Sequence, residues 1–226
     1  MSTFDWERFL RQWSQELLES IEDRGEPLSL EAIESGWLGF PGATEAEILQ
    51  AETRLGTRLP TSYREFLKVS NGWRRTTPFI DRLWSMENIE WFRVRHRAWI
   101  EAFVARDRRR QNNRTTGNNS FPIPSVPDET YLVYGDEQDC SQLRVEYLHT
   151  ALEISRKGES AIYLLNPEIV TADGEWEAWF FSDLLPGADR YLSFRDMMQA
   201  EYRNFLELRN HGETDSTRPV VLILLF

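Results

Sequence analysis

The chain has 226 residues, of which 41% are hydrophobic and 13% aromatic, so it can bury a domain-sized core without a disulfide or a metal. Cys140 is the single cysteine, which excludes an internal disulfide and a cysteine-based zinc site. No signal-type apolar stretch begins the chain and the longest apolar run is residues 220–226, so we expect a soluble protein of the reducing cytoplasm that does not enter a membrane.

The net charge of −11 is distributed unevenly. Residues 93–127 carry two acidic and eight basic side chains, whereas residues 128–226 carry 19 acidic and eight basic ones. The C-terminal part is therefore expected to repel phosphate backbones and to attract a basic protein. The alternative is that its acidity only keeps the protein in solution.

The first predicted element is an amphipathic helix over residues 4–21. Its residues recur at spacings of four and three, which places them on one helical stripe. That stripe consists of Trp6, Leu10, Trp13, Leu17 and Ile21.

Two shorter helices follow, each with its own start and stop signals. Thr44 and Glu47 form a T-x-x-E capping box, and Gly56 stands where a left-handed C-terminal cap is expected. Pro60 suits the first position of the next helix, which Asn71-Gly72 closes. The side chains predicted to be buried are Ile48, Leu49 and Leu55 in one helix, and Tyr63, Phe66 and Leu67 in the other.

A long helix is predicted from residue 85 to about residue 110, and it runs into a polar segment, residues 106–120, predicted to be a mobile loop. The apolar stripe of this helix consists of Ile89, Phe92, His96, Trp99, Ile100 and Phe103.

The second half changes to short runs rich in β-branched and aromatic residues, which predict strands. The predicted strands are residues 131–134, 143–148, 151–154, 161–165 and 176–181, and turn signals such as Asn166-Pro167 and Asp173-Gly174 separate them. A final helix is predicted over residues 193–208. Helices, then an antiparallel meander, then a helix indicate an α+β fold.

Several short sequence motifs follow one another along the chain in an order that resembles that of a known family. Gly39-Phe40-Pro41 leads into the capped helix, Leu59-Pro60-x-x-Tyr63-x-x-Phe66-Leu67 opens the next one, and Ser70-Asn71-Gly72 ends it. Further motifs follow in the second half: residues 132–136, residues 162–167, and Trp176-x-x-Trp179-x-Phe181 with Ser193-Phe194. In this order they resemble the first central strand, a later strand with its turn, and the strand before the final helix of the SUKH superfamily. The resemblance covers residues 36–208.

The resemblance implies N-terminal helices packed on a mostly antiparallel central sheet, with a C-terminal helix. It implies a domain over residues 36–208, with a helical extension before it (1–35) and a polar linker and apolar tail after it (209–226). Because an exposed apolar tail would promote aggregation, we expect it to add an edge strand or to pack against a helix of the domain. Many bacterial members are immunity proteins encoded beside polymorphic toxins, often enzymes that attack nucleic acid, and fungal members act as regulatory scaffolds. The family has no shared catalytic residues to carry over, and we expect no cofactor.

Residue types that could carry catalysis form no recognisable arrangement. The histidines at positions 96, 149 and 211 are scattered, and His96 is interpreted as a core or edge residue. The acids around Cys140 are expected to raise its thiol pKa and to weaken it as a nucleophile. The arginines of residues 106–114 could contact phosphates, but no aromatic residues alternate with them. We therefore expect no metal site and no nucleic-acid partner.

Two sets of acidic residues are the candidate binding residues. Asp136, Glu137 and Asp139 follow a predicted strand, and they could form an acid/base pair, a calcium site or a partner-facing loop. The second set is Asp173, Glu175 and Glu177 with Trp179. Strand alternation places Glu175, Glu177 and Trp179 on one face, and Trp176, Ala178 and Phe180 on the other.

These observations lead to one functional hypothesis and two alternatives. The hypothesis is a non-catalytic immunity protein that binds a cognate toxin, such as a nuclease, and occludes its active site. Carboxylates would match a basic cleft and speed association, while aromatic residues would supply affinity. The alternatives are a regulatory scaffold that binds a cellular protein, and a hydrolase that uses the carboxylates of residues 136–139.

Overall fold

A computed structural model describes residues 4–19, 28–77, 79–112, 126–182 and 185–214. The helices are α1 (Trp6–Glu19), α2 (Leu30–Ser35), α3 (Glu45–Leu55), α4 (Thr61–Val69), α5 (Phe92–Arg95), α6 (Arg97–Asn112), α7 (Asp128–Tyr131) and α8 (Phe194–Thr214). The strands are β1 (Trp73–Thr77), β2 (Ile80–Leu83), β3 (Glu90–Trp91), β4 (Leu152–Glu153), β5 (Ser155–Lys157), β6 (Ala161–Val170), β7 (Trp176–Ser182) and β8 (Ala188–Tyr191). Two 3-10 turns lie at Gly135–Glu137 and Val145–His149.

The strands form two antiparallel sheets, which confirms the predicted α+β fold with N-terminal helices and a C-terminal helix. One sheet has three strands in the order β1-β2-β5, and the other has five in the order β3-β4-β6-β7-β8. Strand β5 follows β4 directly in the chain, so the two sheets meet where β4 ends.

The five-stranded sheet is covered on both faces. Helices α1, α4 and α8 pack a large core against one face, and Trp176 and Ala178 of β7 belong to that core. Phe92, α6 and the turn Val145–His149 pack a second core against the other face, where Trp179 and Phe181 of β7 lie. The predicted alternation is therefore confirmed for Trp176, Ala178 and Trp179, but neither face of β7 is open to solvent. Glu175 was predicted to share a face with Glu177 and Trp179, and this is wrong: it precedes β7 and bonds to Ser62 of α4, which packs on the other face.

The capping signals work as predicted. The Thr44 side chain accepts a hydrogen bond from the Glu47 backbone and Glu47 bonds back to Thr44, while Gly56 ends α3 at φ 71°. Leu49 was assigned to the buried side of α3, and this is wrong: it is 52% exposed. Pro60 precedes α4 rather than occupying its first position, because the helix begins at Thr61.

The N-terminal stripe is confirmed for its described members, since Trp6, Leu10, Trp13 and Leu17 are buried. The Trp6 ring lies 5.5 Å from the Phe66 ring of α4 and 5.5 Å from the Phe194 ring of α8. Helix α1 is thus part of the main core. Ile21 lies outside the described residues.

The prediction of one long helix over residues 85–110 is wrong. The chain first pairs with β4, where Glu90 lies opposite Glu153, and the Phe92 N–H then donates to the Ala151 carbonyl (2.9 Å). Helix α5 ends at Arg95 with His96 as its C-cap, and α6 begins at Arg97. The helix-like spacing of apolar residues could not reveal this, because it arises from residues that pack into two different cores.

The polar segment of residues 106–120 was predicted to be a loop, but its first part continues α6 to Asn112. Residues 113–125 and the apolar run 220–226 lie outside the described residues. No helix in the described part of the chain is long and apolar enough to cross a membrane.

Three predictions in the second half are also wrong. Residues 131–134 and 143–148 were predicted strands, but the first run ends α7 and the second enters a 3-10 turn. A short aromatic run is compatible with either a strand or a helical turn. Here the buried polar contacts described below determine the backbone conformation. Asn166-Pro167 was predicted to be a turn, yet both residues lie within β6, where the pairing with β7 becomes irregular.

Candidate partner-binding surface

The first candidate set lies on a solvent-exposed segment that we call the acidic cap, residues 128–146. Asp136 and Glu137 belong to the turn Gly135–Glu137, and Asp139 follows two residues later; all three are exposed. The other exposed acids of the cap are Asp128, Glu129 and Glu146. The one basic residue of the cap, Arg144, is buried and binds Asp128. The surface of the cap is therefore strongly negative.

The cap is attached to the outer edge of the five-stranded sheet. The Gln138 amide donates to the Arg190 carbonyl (2.8 Å) and accepts from the Arg190 N–H (2.7 Å). The Ala188 N–H donates to the Cys140 carbonyl (3.0 Å). Gly187 allows this close approach, because a Cβ there would lie 2.0 Å from the Cys140 oxygen. Residues 138–140 thus cover the free edge of β8.

Glu177 was predicted to contact a partner, and its complete burial shows this to be wrong. Its two carboxylate oxygens accept hydrogen bonds from five side chains. The donors are Tyr131 (2.8 Å), Tyr134 (2.9 Å), Asn166 (2.8 Å), Trp179 (2.7 Å) and Arg190 (3.3 Å). A buried carboxylate requires such partners. Glu177 therefore holds Tyr131 and Tyr134 of the cap against the sheet.

Arg190 completes this network from β8. Its guanidinium donates to the carbonyls of Tyr131 and Val133 and lies over the Tyr131 ring, 4.1 Å from the centroid. The pKa of Tyr131 and that of Tyr134 are raised, first by burial and then by the Glu177 carboxylate. Both phenols therefore stay protonated and act as donors. The buried network therefore fixes residues 131–134 of the cap against the sheet.

Trp179 is also buried completely, and its indole N–H bonds to Glu177. The prediction that Trp179 contacts a partner is therefore wrong as well. The physical reason is the second core, which covers the face of β7 that Glu177 and Trp179 share.

Glu175 is the third residue of the second set that is buried, with 7% of it exposed. Its carboxylate accepts from the Ser62 N–H (2.8 Å) and the Ser62 hydroxyl (2.6 Å), at the start of α4. Pro60 makes no side-chain cap there. Glu175 therefore caps a helix more than a hundred residues earlier in the chain.

We expect Glu175→Ala to lower the free energy of unfolding by about 1–2 kcal/mol, because α4 loses its capping acceptor. Urea denaturation measures this. Glu168→Ala, which removes an exposed glutamate from β6, is the matched control and is expected to change stability little. Equal effects of the two substitutions would contradict the capping role.

Asp173 remains exposed, on the turn that joins β6 to β7. A hydrogen bond from Thr171 lowers its pKa. The pKa of Asp139 is also lowered, chiefly by a hydrogen bond from Ser141. Both carboxylates are therefore negative at neutral pH. The Tyr134 hydroxyl of the cap reaches Glu177, which lies four residues after Asp173 in the chain.

Cys140 and His96 both lie beside carboxylates. Burial raises the pKa of the Cys140 thiol, followed by the charges of Asp189 and Asp139, so the predicted direction is confirmed while its main cause is burial. His96 is partly exposed, with its Nε2 2.9 Å from the buried Glu153 carboxylate. Within the described residues, no group of three or more His, Cys, Asp or Glu side chains could hold a metal ion.

Sequence reasoning missed Arg190, Tyr131 and Tyr134 as the residues that position the cap. A signal for them was present in β7, because Trp176, Ala178, Trp179 and Phe181 make both of its faces apolar. A strand that is apolar on both faces is buried on both faces. A glutamate within such a strand must then find buried donors elsewhere in the chain.

Comparison with known proteins gives one result for the chain. The model of the SMI1 / KNR4 family (SUKH-1) matches residues 42–199, well over half of the sequence. No curated protein matches the chain. The family match contains the capped helix α3, the two sheets and the acidic cap.

Proposed function

Because the chain belongs to the SMI1 / KNR4 family (SUKH-1), we propose that it is a cytoplasmic, non-catalytic binding protein that neutralises one cognate protein toxin by covering its active site. The acidic cap and Asp173 form the binding surface in this proposal. Residues 36–208 form the binding domain, with residues 1–35 and 209–226 as additions to it.

The observation that carries the proposal is the charge and anchoring of the cap. Six exposed acids lie between residues 128 and 146, and Arg144, the one arginine or lysine among them, is buried. The buried bonds of Glu177 and Arg190 hold this segment in one conformation, so little ordering is needed when a partner binds. A toxin that grips nucleic acid presents a basic cleft, to which such a surface is complementary.

We expect neutralisation of Asp136, Glu137, Asp139 and Asp173 by Asn or Gln to slow association with the toxin about tenfold or more and to flatten its salt dependence. The toxin to use is the product of a toxin-like gene next to the gene of this protein. Surface plasmon resonance at two ionic strengths measures the rate, and coexpression with the toxin scores growth rescue. Glu34→Gln and Glu87→Gln, at exposed positions outside the cap, are the matched control.

Unchanged association and unchanged salt dependence in the fourfold variant would contradict the electrostatic proposal. Failure of the wild-type protein to restore growth against that toxin would favour the regulatory scaffold instead. Hydrolysis of a substrate that is lost in the fourfold variant would support the hydrolase alternative.

A further inference from the structure

The three-stranded sheet carries arginines in register across all its strands. Arg74 of β1 lies opposite Arg82 of β2, and Arg82 lies opposite Arg156 of β5. Residues directly opposite one another project from the same face of a sheet. Arg74 is already occupied, because it binds Glu31 (2.9 Å) and lies over the Phe40 ring (4.2 Å).

Arg82 and Arg156 are different, since about half of each side chain is exposed (49% and 59%). Among the described residues, both guanidiniums contact the same carboxylate oxygen of Asp81, which lies 3.5 Å from Arg82 and 3.6 Å from Arg156. That buried oxygen has no hydrogen-bond partner in the described structure. Like charges directly opposite each other destabilise a sheet, and an external carboxylate between the two arginines would relieve this repulsion.

The surface extends to the residue pair Trp84 and Arg95. Trp84 follows β2 and is half-buried, and the Arg95 guanidinium lies 5.4 Å from its ring centre. Both side chains bond to the buried Glu153, Trp84 at 3.2 Å and Arg95 at 3.1 Å. Tryptophan and arginine are enriched among residues that dominate binding energy. We call Arg82, Trp84, Arg95 and Arg156 the cationic face.

Strands β6, β7 and β8 separate the acidic cap from β4, the strand that runs directly into β5. From β4 across β6, β7 and β8 to residues 138–140 is four strand spacings, or about 19 Å. The screening length at physiological salt is about 8 Å. At physiological salt the cationic face and the acidic cap therefore act independently. A negatively charged partner can then bind the cationic face despite the net charge of −11.

We propose that the cationic face is a docking surface for the acidic cap of a second copy of this chain. The cap supplies carboxylates in a fixed arrangement, and the exposed guanidiniums of Arg82 and Arg156 can each receive one in bidentate geometry. This inference goes beyond the proposed function and does not depend on a toxin. It has a regulatory consequence, because a partner that covers the cap competes with self-association.

Sedimentation equilibrium of the full chain tests the proposal. Exposed ion pairs are weak individually, so we expect a monomer–oligomer equilibrium in the high micromolar to millimolar range at about 0.1 M salt, lost at about 1 M. Arg82→Glu with Arg156→Glu is expected to be monomeric, as is Asp136→Lys with Glu137→Lys. Mixing the two double variants restores the complementary contact, and we expect it to restore association.

The matched control is Arg58→Glu with Arg93→Glu, which reverses two exposed arginines outside the cationic face; it should associate like wild type. Thermal melting of each variant tests whether it is folded. A wild-type chain that stays monomeric at millimolar concentration would overturn the proposal, as would loss of association in the control. The cationic-face variant still rescues growth if only self-association is lost, so this result is separable from the proposed function.

Discussion

Replacing Glu177 by alanine is expected to lower the free energy of unfolding by about 3–5 kcal/mol, enough to unfold a substantial part of the protein at moderate temperature. The substitution leaves the Arg190 guanidinium buried without its carboxylate, and Arg190 is fully enclosed. It also removes the acceptor of two tyrosines and one indole. Urea denaturation followed by circular dichroism measures the loss.

The matched control for this prediction is Glu137→Ala, which removes an exposed glutamate from the acidic cap and is expected to change stability by less than about 0.5 kcal/mol. A double-mutant cycle with Arg190→Met isolates the pair. We expect the double variant to be less destabilised than the two single changes added together, because neither buried charge is then left alone. Additive losses would show that Glu177 and Arg190 act independently.

Glu201→Gln is expected to stabilise the protein above neutral pH. Glu201 is buried in α8, where it accepts from the Tyr163 hydroxyl (2.5 Å) and the Asn204 amide (3.1 Å). Burial raises its pKa from 4.5 to about 7. Ionising the carboxyl in the folded state is therefore unfavourable, and glutamine keeps an acceptor oxygen without carrying a charge.

The sign of the pH dependence follows from proton binding. Between about pH 4.5 and pH 7 the folded carboxyl still holds its proton while the unfolded one has released it, so the free energy of unfolding falls as the pH rises. Above pH 7 the loss is complete and amounts to roughly 3 kcal/mol. We expect Glu201→Gln to recover most of this at pH 8, whereas below pH 4.5 the two proteins are alike.

Urea denaturation at a series of pH values from 4 to 8 tests the Glu201 prediction. Glu207→Gln, an exposed glutamate on the same helix, is the control and should follow the wild-type curve. A difference between Glu201→Gln and wild type that does not change with pH would show that Glu201 does not titrate in this window.

Much of the helical architecture was predictable because its causes are local. The capping box of Thr44 and Glu47 and the left-handed Gly56 specify α3 within a dozen residues. The apolar stripe of α1 likewise depends on spacing alone. Where the prediction was wrong, as over residues 85–110, hydrogen bonds to a distant strand replaced the helix that the spacing favoured.

The candidate site was predictable only in part, for the same physical reason. Asp136, Glu137 and Asp139 were identified from sequence and are exposed. Glu175, Glu177 and Trp179 were identified with equal justification and are buried. Strand alternation states which residues share a face, but it does not state what covers that face.

The sequence by itself determined the fold class, the family, the main helices and the acidity of the second half. Only the tertiary structure decided which acids meet solvent. Glu137 lies on a turn outside the sheet edge. Glu177, in contrast, is enclosed by hydrogen-bond donors that come from residues 131, 166 and 190. Burial depends on such distant segments, so the two glutamates have opposite roles: one faces a partner in the proposed function, and the other holds the surface in place.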